Sequence, residues 1–344
     1  MHGGNIYKHI EEYGKKPIDF SANVNPYPLP SEVVSEIQDS INDMAHYPDP
    51  DCIKLREALS KKLSVDCNDV LCGAGASDLI YRFICALRPK SALIIEPAFL
   101  EYEKALNLYG CGIKRYYLNE DADFVLSEDI LDHITDDTEL LIINAPHNPT
   151  GIMPDKTIIG AICDKCKKLG IYLLCDESFL DFLDDTDDRS IIHYGYDKVI
   201  SIRAFTKYYG LAGLRLGYVV SRDHTILAKM QQAGPIWNVS VPAQAAGVSL
   251  LSHEYRINAD IAAERDYLFY ELTSLGCRVI HGSANFILFY SDDAELDLKL
   301  KEKSILIRDC SDFNGLSEGW YRIAVRTHDE NIALIEAMES LLNL

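Results

Sequence analysis

Between residues 69 and 220 the sequence alternates short apolar runs with stretches of helical periodicity, and few folds accept that pattern. DVLCG (69–73), SALIIEP (91–97), GIKRYYL (112–118), ELLIINAP (139–146), IYLLCDE (171–177), KVISIR (198–203) and LGYVV (216–220) read as strands. Several are continuous apolar runs, which predicts strands covered on both faces. Between them, residues 76–88, 99–110 and 155–170 place apolar side chains at helical spacing. Strand–helix–strand alternation predicts an α/β fold with a mostly parallel sheet flanked by helices. Such sheets bind ligands at the carboxyl ends of their strands.

The texture changes after about residue 245. A helical stretch over roughly 243–275 leads to CRVIHG, NFILFY, SILIRDC and GWYRIAV, read as shorter strands, and to a terminal helix from about 329. This predicts a smaller α+β C-terminal domain. The first 35 residues, rich in Gly, Pro and Asn, read as an ordered arm rather than a core element. The expected division is an arm over 1–35 packing with the small domain, a large domain over 36–245 and a small one over 246–344. A chain of 344 residues suits about two domains.

Charge narrows the partners. With 33 Lys and Arg against 53 Asp and Glu, the formal net charge is −20. That excess argues against nucleic acid and against an anionic membrane surface. The acid is unevenly spread. From Lys198 to His253 the only carboxylate is Asp223, against Lys198, Arg203, Lys207, Arg215, Arg222 and Lys229. A local deficit of acid in an acidic chain marks a candidate site.

The opening residues contain no apolar core of signal-peptide length, and the long uncharged run from Met230 to His253 is too polar to span a bilayer. A cytoplasmic protein is the expectation. Ten cysteines are scattered without a compact framework, so most are expected to pack as reduced thiols. Cys163 and Cys166 have C-x-x-C spacing, but no second pair completes a metal site and the segment reads as an amphipathic helix, so no metal is expected. The acidic cluster Asp184, Asp185, Asp187 and Asp188 reads as a solvated loop.

Within the basic window, SIRAFTKYYGLAGLRLGY (201–218) sets Thr206 and Lys207 after a strand, before a Gly-rich turn leading to Arg215. A lysine among Phe205, Tyr208, Tyr209 and Leu211, near other cations, is expected to have lowered basicity suited to covalent chemistry at a carbonyl. Asp176 closes an apolar run, either capping the next helix or supplying a carboxylate to a protonated ring nitrogen. Asn148, in INAPHNPTG, sits in what is otherwise a plain turn. GAGASD (73–78) places small residues and Ser77 at a strand-to-helix junction, where backbone N–H groups can cradle a phosphate.

In this order, over essentially the whole chain, these segments resemble the fold type I family of pyridoxal 5′-phosphate (PLP) enzymes, the aminotransferase-like superfamily. The resemblance implies that Lys207 binds the cofactor covalently. It implies that Asp176 faces the pyridine nitrogen, Asn148 contacts the ring oxygen and Phe99, in EPAFLEY, stacks on the ring. Ala76, Ser77, Thr206 and Arg215 would form the phosphate cup. Tyr47, in HYPDP, would reach the cofactor of a neighbouring copy, so a homodimer is implied.

Two branches compete. Histidinol-phosphate aminotransferases share LAGLRLGY and the Asn-Pro-Thr-Gly turn, but usually carry a tyrosine three positions after the aspartate, where this chain has Phe179. Phe179, Arg203 and the pair Arg322 and Arg326 depart from that pattern. Together with HGGN (2–5), FSANVNP (20–26) and SILIRDC (304–310) they resemble the threonine-phosphate decarboxylase branch of cobalamin biosynthesis. A small phosphorylated amino acid carries two anions, and arginine forks bind both carboxylate and phosphate. By resemblance Arg322 would hold the α-carboxylate, and Arg308, His2 and Asn23 the phosphate. Arg326, read as lying on the same strand as Arg322, is either a further anion contact or an ion-pair partner of nearby acids. A regulatory PLP-binding module is disfavoured, since the chain has neither spare length nor a basic helix pair.

Overall fold

A computed structural model describes residues 3–342 apart from Glu254. Among them, strands β1 (Ile18–Asp19), β2 (Val70–Gly73), β3 (Ser91–Glu96), β4 (Gly112–Tyr117), β5 (Leu140–Asn144), β6 (Tyr172–Asp176), β7 (Val199–Ala204) and β8 (Gly217–Val220) come first. They are followed by β9 (Arg278–Ile280), β10 (Phe286–Tyr290), β11 (Ile305–Leu306), β12 (Arg308–Asp309) and β13 (Trp320–Ala324). Strands β2 to β8 form one sheet in the order β2-β8-β7-β6-β5-β3-β4. Only β8 runs antiparallel to its neighbours. These seven strands are the ones the apolar runs predict.

Alternation along each strand sends side chains to opposite faces. Leu93, Ile95, Leu141, Ile143, Leu173 and Cys175 pack on one face with Ile159, Ile162, Cys163 and Cys166 of helix Lys156–Leu169. Ala92, Ile94, Leu140, Ile142 and Leu174 pack on the other with Leu79, Ile80 and Phe83 of helix Ala76–Leu87. Cys163 and Cys166 therefore act as small apolar side chains, and all ten cysteines are free. Helix Lys156–Leu169 begins where the Asp155 side chain accepts from Thr157 N at 2.7 Å, and stops at Gly170 in the left-handed conformation.

A second, antiparallel sheet has the order β12-β13-β10-β9, and β1 pairs with β11 in parallel. Four expectations change here. SILIRDC is not one strand: Ile305 and Leu306 pair with β1, whereas Arg308 and Asp309 pair with β13, so the chain turns at Ile307 to serve two sheets. The helical stretch 243–275 is two helices, Val241–Ser252 and Asn258–Ser274. Tyr208 causes much of that break, its hydroxyl bonding Tyr255 O at 3.1 Å and Ile257 N at 3.4 Å in place of helix partners. The arm is partly core, because Phe20 and Val33 are fully buried and Ala324 N donates to Phe20 O at 2.8 Å. The acidic cluster includes a short helical turn, Thr186–Arg189, tied by Arg189–Asp185 and Lys156–Asp188 pairs.

Under the carboxyl end of β6 lies a buried ion pair. Arg203 Nε meets Glu177 Oε2 at 3.1 Å, and Glu177 also accepts from Ser201 Oγ, Ser190 Oγ and Ile191 N. Arg203 has a second carboxylate, Asp181, at 3.7 Å. Removing one partner of such a pair strands the other charge in the interior. Arg203→Met should lower unfolding free energy by about 3–5 kcal/mol in a denaturant titration, and Arg203→Met with Glu177→Leu should recover part of that loss. Equal losses in the single and double variants would contradict a coupled pair.

Candidate active site

The parallel strands end on a common edge, and the chain leaves that edge through the segments that carry the candidate chemistry. Asn144 closes β5 and Asp176 closes β6, and the two are direct partners in the ladder. Thr206 and Lys207 follow β7, Ala76 and Ser77 follow β2, and Phe99 follows β3. Arg308 and Arg322 come from the second sheet, where they are cross-strand partners on β12 and β13. A cleft of about 390 Å³ joins these groups. It is lined by Asn23, Ala76, Ser77, Phe99, Asn148, Asp176, Thr206, Lys207, Arg215, Arg308 and Arg322, with Gly3, Ser21, Ala22, Ser178, Phe179 and Phe313 among the others.

Asp176 is buried, and each of its oxygens is fixed. Tyr102 Oη donates to Oδ2 at 2.7 Å and Ser178 N to Oδ1 at 3.0 Å. Burial raises its carboxyl above the ordinary range, opposed by Ser178, Tyr102 and Lys207. Lys207 opens partly onto the cleft, with Nζ 5.7 Å from the Phe179 ring centre. Surrounding protein still desolvates its ammonium and, with the Arg322 charge, brings it down to about 8, against the pull of Asp176.

The phosphate-cup candidates gather at the start of helix Ala76–Leu87. Its N-cap is Gly75 at φ +92°, which has no side chain to cap the first turn; Asp78 Oδ2 takes Ala74 N at 2.9 Å, and the N–H groups that open the helix remain for an anion. A Cβ at Gly75 would lie 2.8 Å from Arg215 Nη2, which explains glycine there. Arg215 donates to Ala212 O at 3.2 Å and Ala74 O at 3.4 Å, which holds its guanidinium beside this turn.

Arg322 is buried, donates to Asn148 Oδ1 and Ser21 O, and has no carboxylate ion-pair partner among the described residues. Desolvation, with the like charge of Arg308, lowers it to about 10. Arg308 is held by Asp309 O and by Asp312 Oδ1 at 2.6 Å. Arg326 takes the ion-pair role: it lies beyond the end of β13, bonds both Glu330 oxygens at 3.0 Å, and donates to Asp19 O. It is absent from the cleft lining.

Two candidates stand apart. Tyr47 is 76% exposed, stacked on Trp237 at 4.1 Å, and lines a separate groove. His2 lies outside the described residues. Gly3 does line the cleft, and it packs so tightly on Ser21 that a Cβ would sit 2.1 Å from Ser21 O. Conversely, sequence reasoning missed Tyr102, Ser178 and Asn144. Asn144 had a readable signal, a polar residue closing an apolar run as Asp176 does; its Nδ2 bonds Asp176 O at 2.5 Å and its Oδ1 accepts from Asn148 N at 2.8 Å.

The fold and this arrangement define a class. The chain belongs to the aminotransferase class I and II family, whose pattern matches residues 15–338. That family is PLP-dependent, and the chain is a fold type I PLP enzyme. Within the family, it is 33% identical over 350 residues to threonine-phosphate decarboxylase of Salmonella typhimurium, covering 99% of this chain and 96% of that protein. It is also similar to the structure of histidinol-phosphate aminotransferase from Clostridium acetobutylicum (TM-score 0.88, 27% identity, 95% and 99% covered). A third likeness is to L-threonine-O-3-phosphate decarboxylase from Porphyromonas gingivalis (TM-score 0.82, 26% identity, 95% and 100% covered).

The electrostatics of Lys207 can be checked in cofactor-free protein. Its acylation rate, followed by peptide mapping, should reach half its maximum near pH 8. Asp176→Asn removes a charge that favours the ammonium and should move this midpoint down; Arg322→Gln removes an opposing cation and should move it up. Unchanged midpoints in both variants would contradict the coupling.

Proposed function

We propose that this chain decarboxylates L-threonine O-3-phosphate to (R)-1-amino-2-propanol O-phosphate, in cobalamin biosynthesis, with serine phosphate as a second substrate. The observation that carries this reading is the pair of buried arginines, Arg308 and Arg322, opposed across β12 and β13 on one wall of the cleft that holds Lys207. Like charges directly opposite in a sheet are unfavourable. They fit one ligand with two anionic groups, and a phosphorylated amino acid is such a ligand.

The residues present fit PLP. Asn23 Oδ1, Ser178 Oγ and Arg322 Nε belong to cleft-lining residues and are buried without a partner among the described residues. Ala76, Ser77, Thr206 and Arg215 would hold the cofactor phosphate, Asp176 its ring nitrogen, Asn148 its ring oxygen and Phe99 its face. Lys207 would hold it covalently. When bound, PLP supplies an electron sink for the bonding pair released at Cα. Arg322 would orient the α-carboxylate and Arg308, with Asn23, the substrate phosphate. As CO2 leaves, Cα must take a proton, and a lysine titrating near 8 can deliver one from Nζ at neutral pH. One methyl group separates the two substrates, a discrimination of only ~1–3 kcal/mol.

The same reading makes the protein cytoplasmic and homodimeric, with Tyr47 reaching the partner's site. Support comes from exposed Ile41, Met44, Tyr47, Ile53 and Ile236, apolar surface that a second copy would cover. No helix among the described residues is long and apolar enough to cross a membrane. The proposed units remain an arm over 1–35, a large domain over 36–245 and a small domain over 246–344. Histidinol-phosphate aminotransferase is the second reading, favoured by the higher TM-score of the Clostridium acetobutylicum structure.

Incubation of PLP-loaded protein with threonine phosphate and no keto acid should release CO2 and aminopropanol phosphate in equal amounts. Turnover of histidinol phosphate that requires 2-oxoglutarate, with no CO2 from threonine phosphate, would instead establish the second reading. Arg322→Gln should lower kcat/KM for threonine phosphate roughly 100-fold, the loss of a charge-assisted bidentate contact of about 3 kcal/mol.

A further inference from the structure

Tyr102 lies in helix Glu101–Asn107, three residues beyond Phe99, in a position the cofactor reading gives no role. It is 2% exposed and does not line the cleft. Its ring meets Phe99 edge-on at 5.6 Å, and its hydroxyl points at Asp176 Oδ2, 2.7 Å away. We infer that Tyr102 is a positioning residue: its hydroxyl fixes the Asp176 carboxylate and keeps it ionised toward the ring nitrogen. The inference rests on the PLP reading given above.

The geometry makes this hydroxyl hard to replace. Asp176 has two carboxylate oxygens, and the hydrogen bonds to them among the described residues are Tyr102 Oη on Oδ2 and Ser178 N on Oδ1. The main-chain oxygen of Asp176 is held separately, by Asn144 Nδ2 at 2.5 Å and Ala145 N at 3.0 Å. Lys207 is the charged group facing the carboxylate; Arg322 and Arg215 act on Lys207, and the Cys175 thiol lies alongside. Burial works against a charged Asp176, so donors must keep it ionised. Tyr102 remains a donor throughout the useful pH range, because burial and the neighbouring carboxylate push its own ionisation well above normal. Without the hydroxyl, Asp176 would keep Ser178, through its main-chain N–H and its neighbouring side chain, and a lysine that covalent cofactor binding would engage.

Tyr102→Phe retains the ring and removes only the hydroxyl; Tyr102→Leu is a second hydroxyl-free variant should the first fold poorly. In cofactor-free protein labelled with 13C at aspartate carboxyls, Asp176→Asn identifies the relevant resonance. The Asp176 midpoint should rise by about one pH unit in Tyr102→Phe, and PLP should bind roughly tenfold more weakly. The thermal midpoint should fall by no more than several degrees. An unchanged Asp176 midpoint would overturn the inference, whatever the effect on activity. Failure of the unaltered protein to bind PLP would overturn the cofactor reading, and with it the role toward the ring nitrogen. The NMR titration and the PLP titration thus distinguish the two failures.

Discussion

A buried carboxylate and a lysine of lowered basicity share one end of the sheet, and much of the structure is needed to keep them there. Asp176 ends β6 and Lys207 follows β7, strands paired in register over Leu173–Asp176 and Val199–Ile202. Burial opposes charge on both groups, and each is among the features that favour charge on the other. That balance depends on excluding water from below, which the apolar alternation of β5, β6 and β7 achieves on both faces. The Glu177–Arg203 pair adds a second constraint, joining the segment after Asp176 to the strand that leads to Lys207.

The second sheet completes the site by adding positive charge to a place already short of solvent. Arg322 carries a cation that burial and Arg308 both disfavour, whereas Arg308 is paired with Asp312 at 2.6 Å. Such an arrangement is unfavourable in the free protein and favourable once anions arrive, so ligand binding should stabilise the fold by linkage. The net charge of −20 thus concerns the outer surface, whereas the cleft lining sets Lys207, Arg215, Arg308 and Arg322 against Asp176 and Glu101. A small anionic ligand and an acidic protein are compatible because short-range desolvated contacts outweigh screened charges farther away.

Much of the fold was legible because strands buried on both faces leave unbroken apolar runs. The seven strands of the large sheet could be placed from short apolar runs, several of them unbroken, alternating with helical stretches, and the site residues were then read from the motifs at their ends and from the family resemblance. Residues read as motifs in short segments, including Lys207, Asp176, Ser77 and Asn148, meet in one cleft. What stayed hidden depended on contacts distant in sequence. Nothing local to 253–257 shows that Tyr208, nearly fifty residues earlier, takes the backbone partners a helix would use. Arg326 looked like Arg322 at a spacing of four, but β13 ends at Ala324 and Glu330 captures its guanidinium. Tyr102 looked like an ordinary apolar position of an amphipathic helix, and only its bond across to β6 distinguishes it.

The central claim is that Lys207 is the residue to which the cofactor attaches, within reach of Asp176. Borohydride reduction of PLP-loaded protein followed by proteolysis and mass spectrometry tests it directly. A phosphopyridoxyl group should form on Lys207 alone, at one equivalent per chain. Modification of a different lysine with Lys207 left free, or no covalent adduct at all, would contradict it.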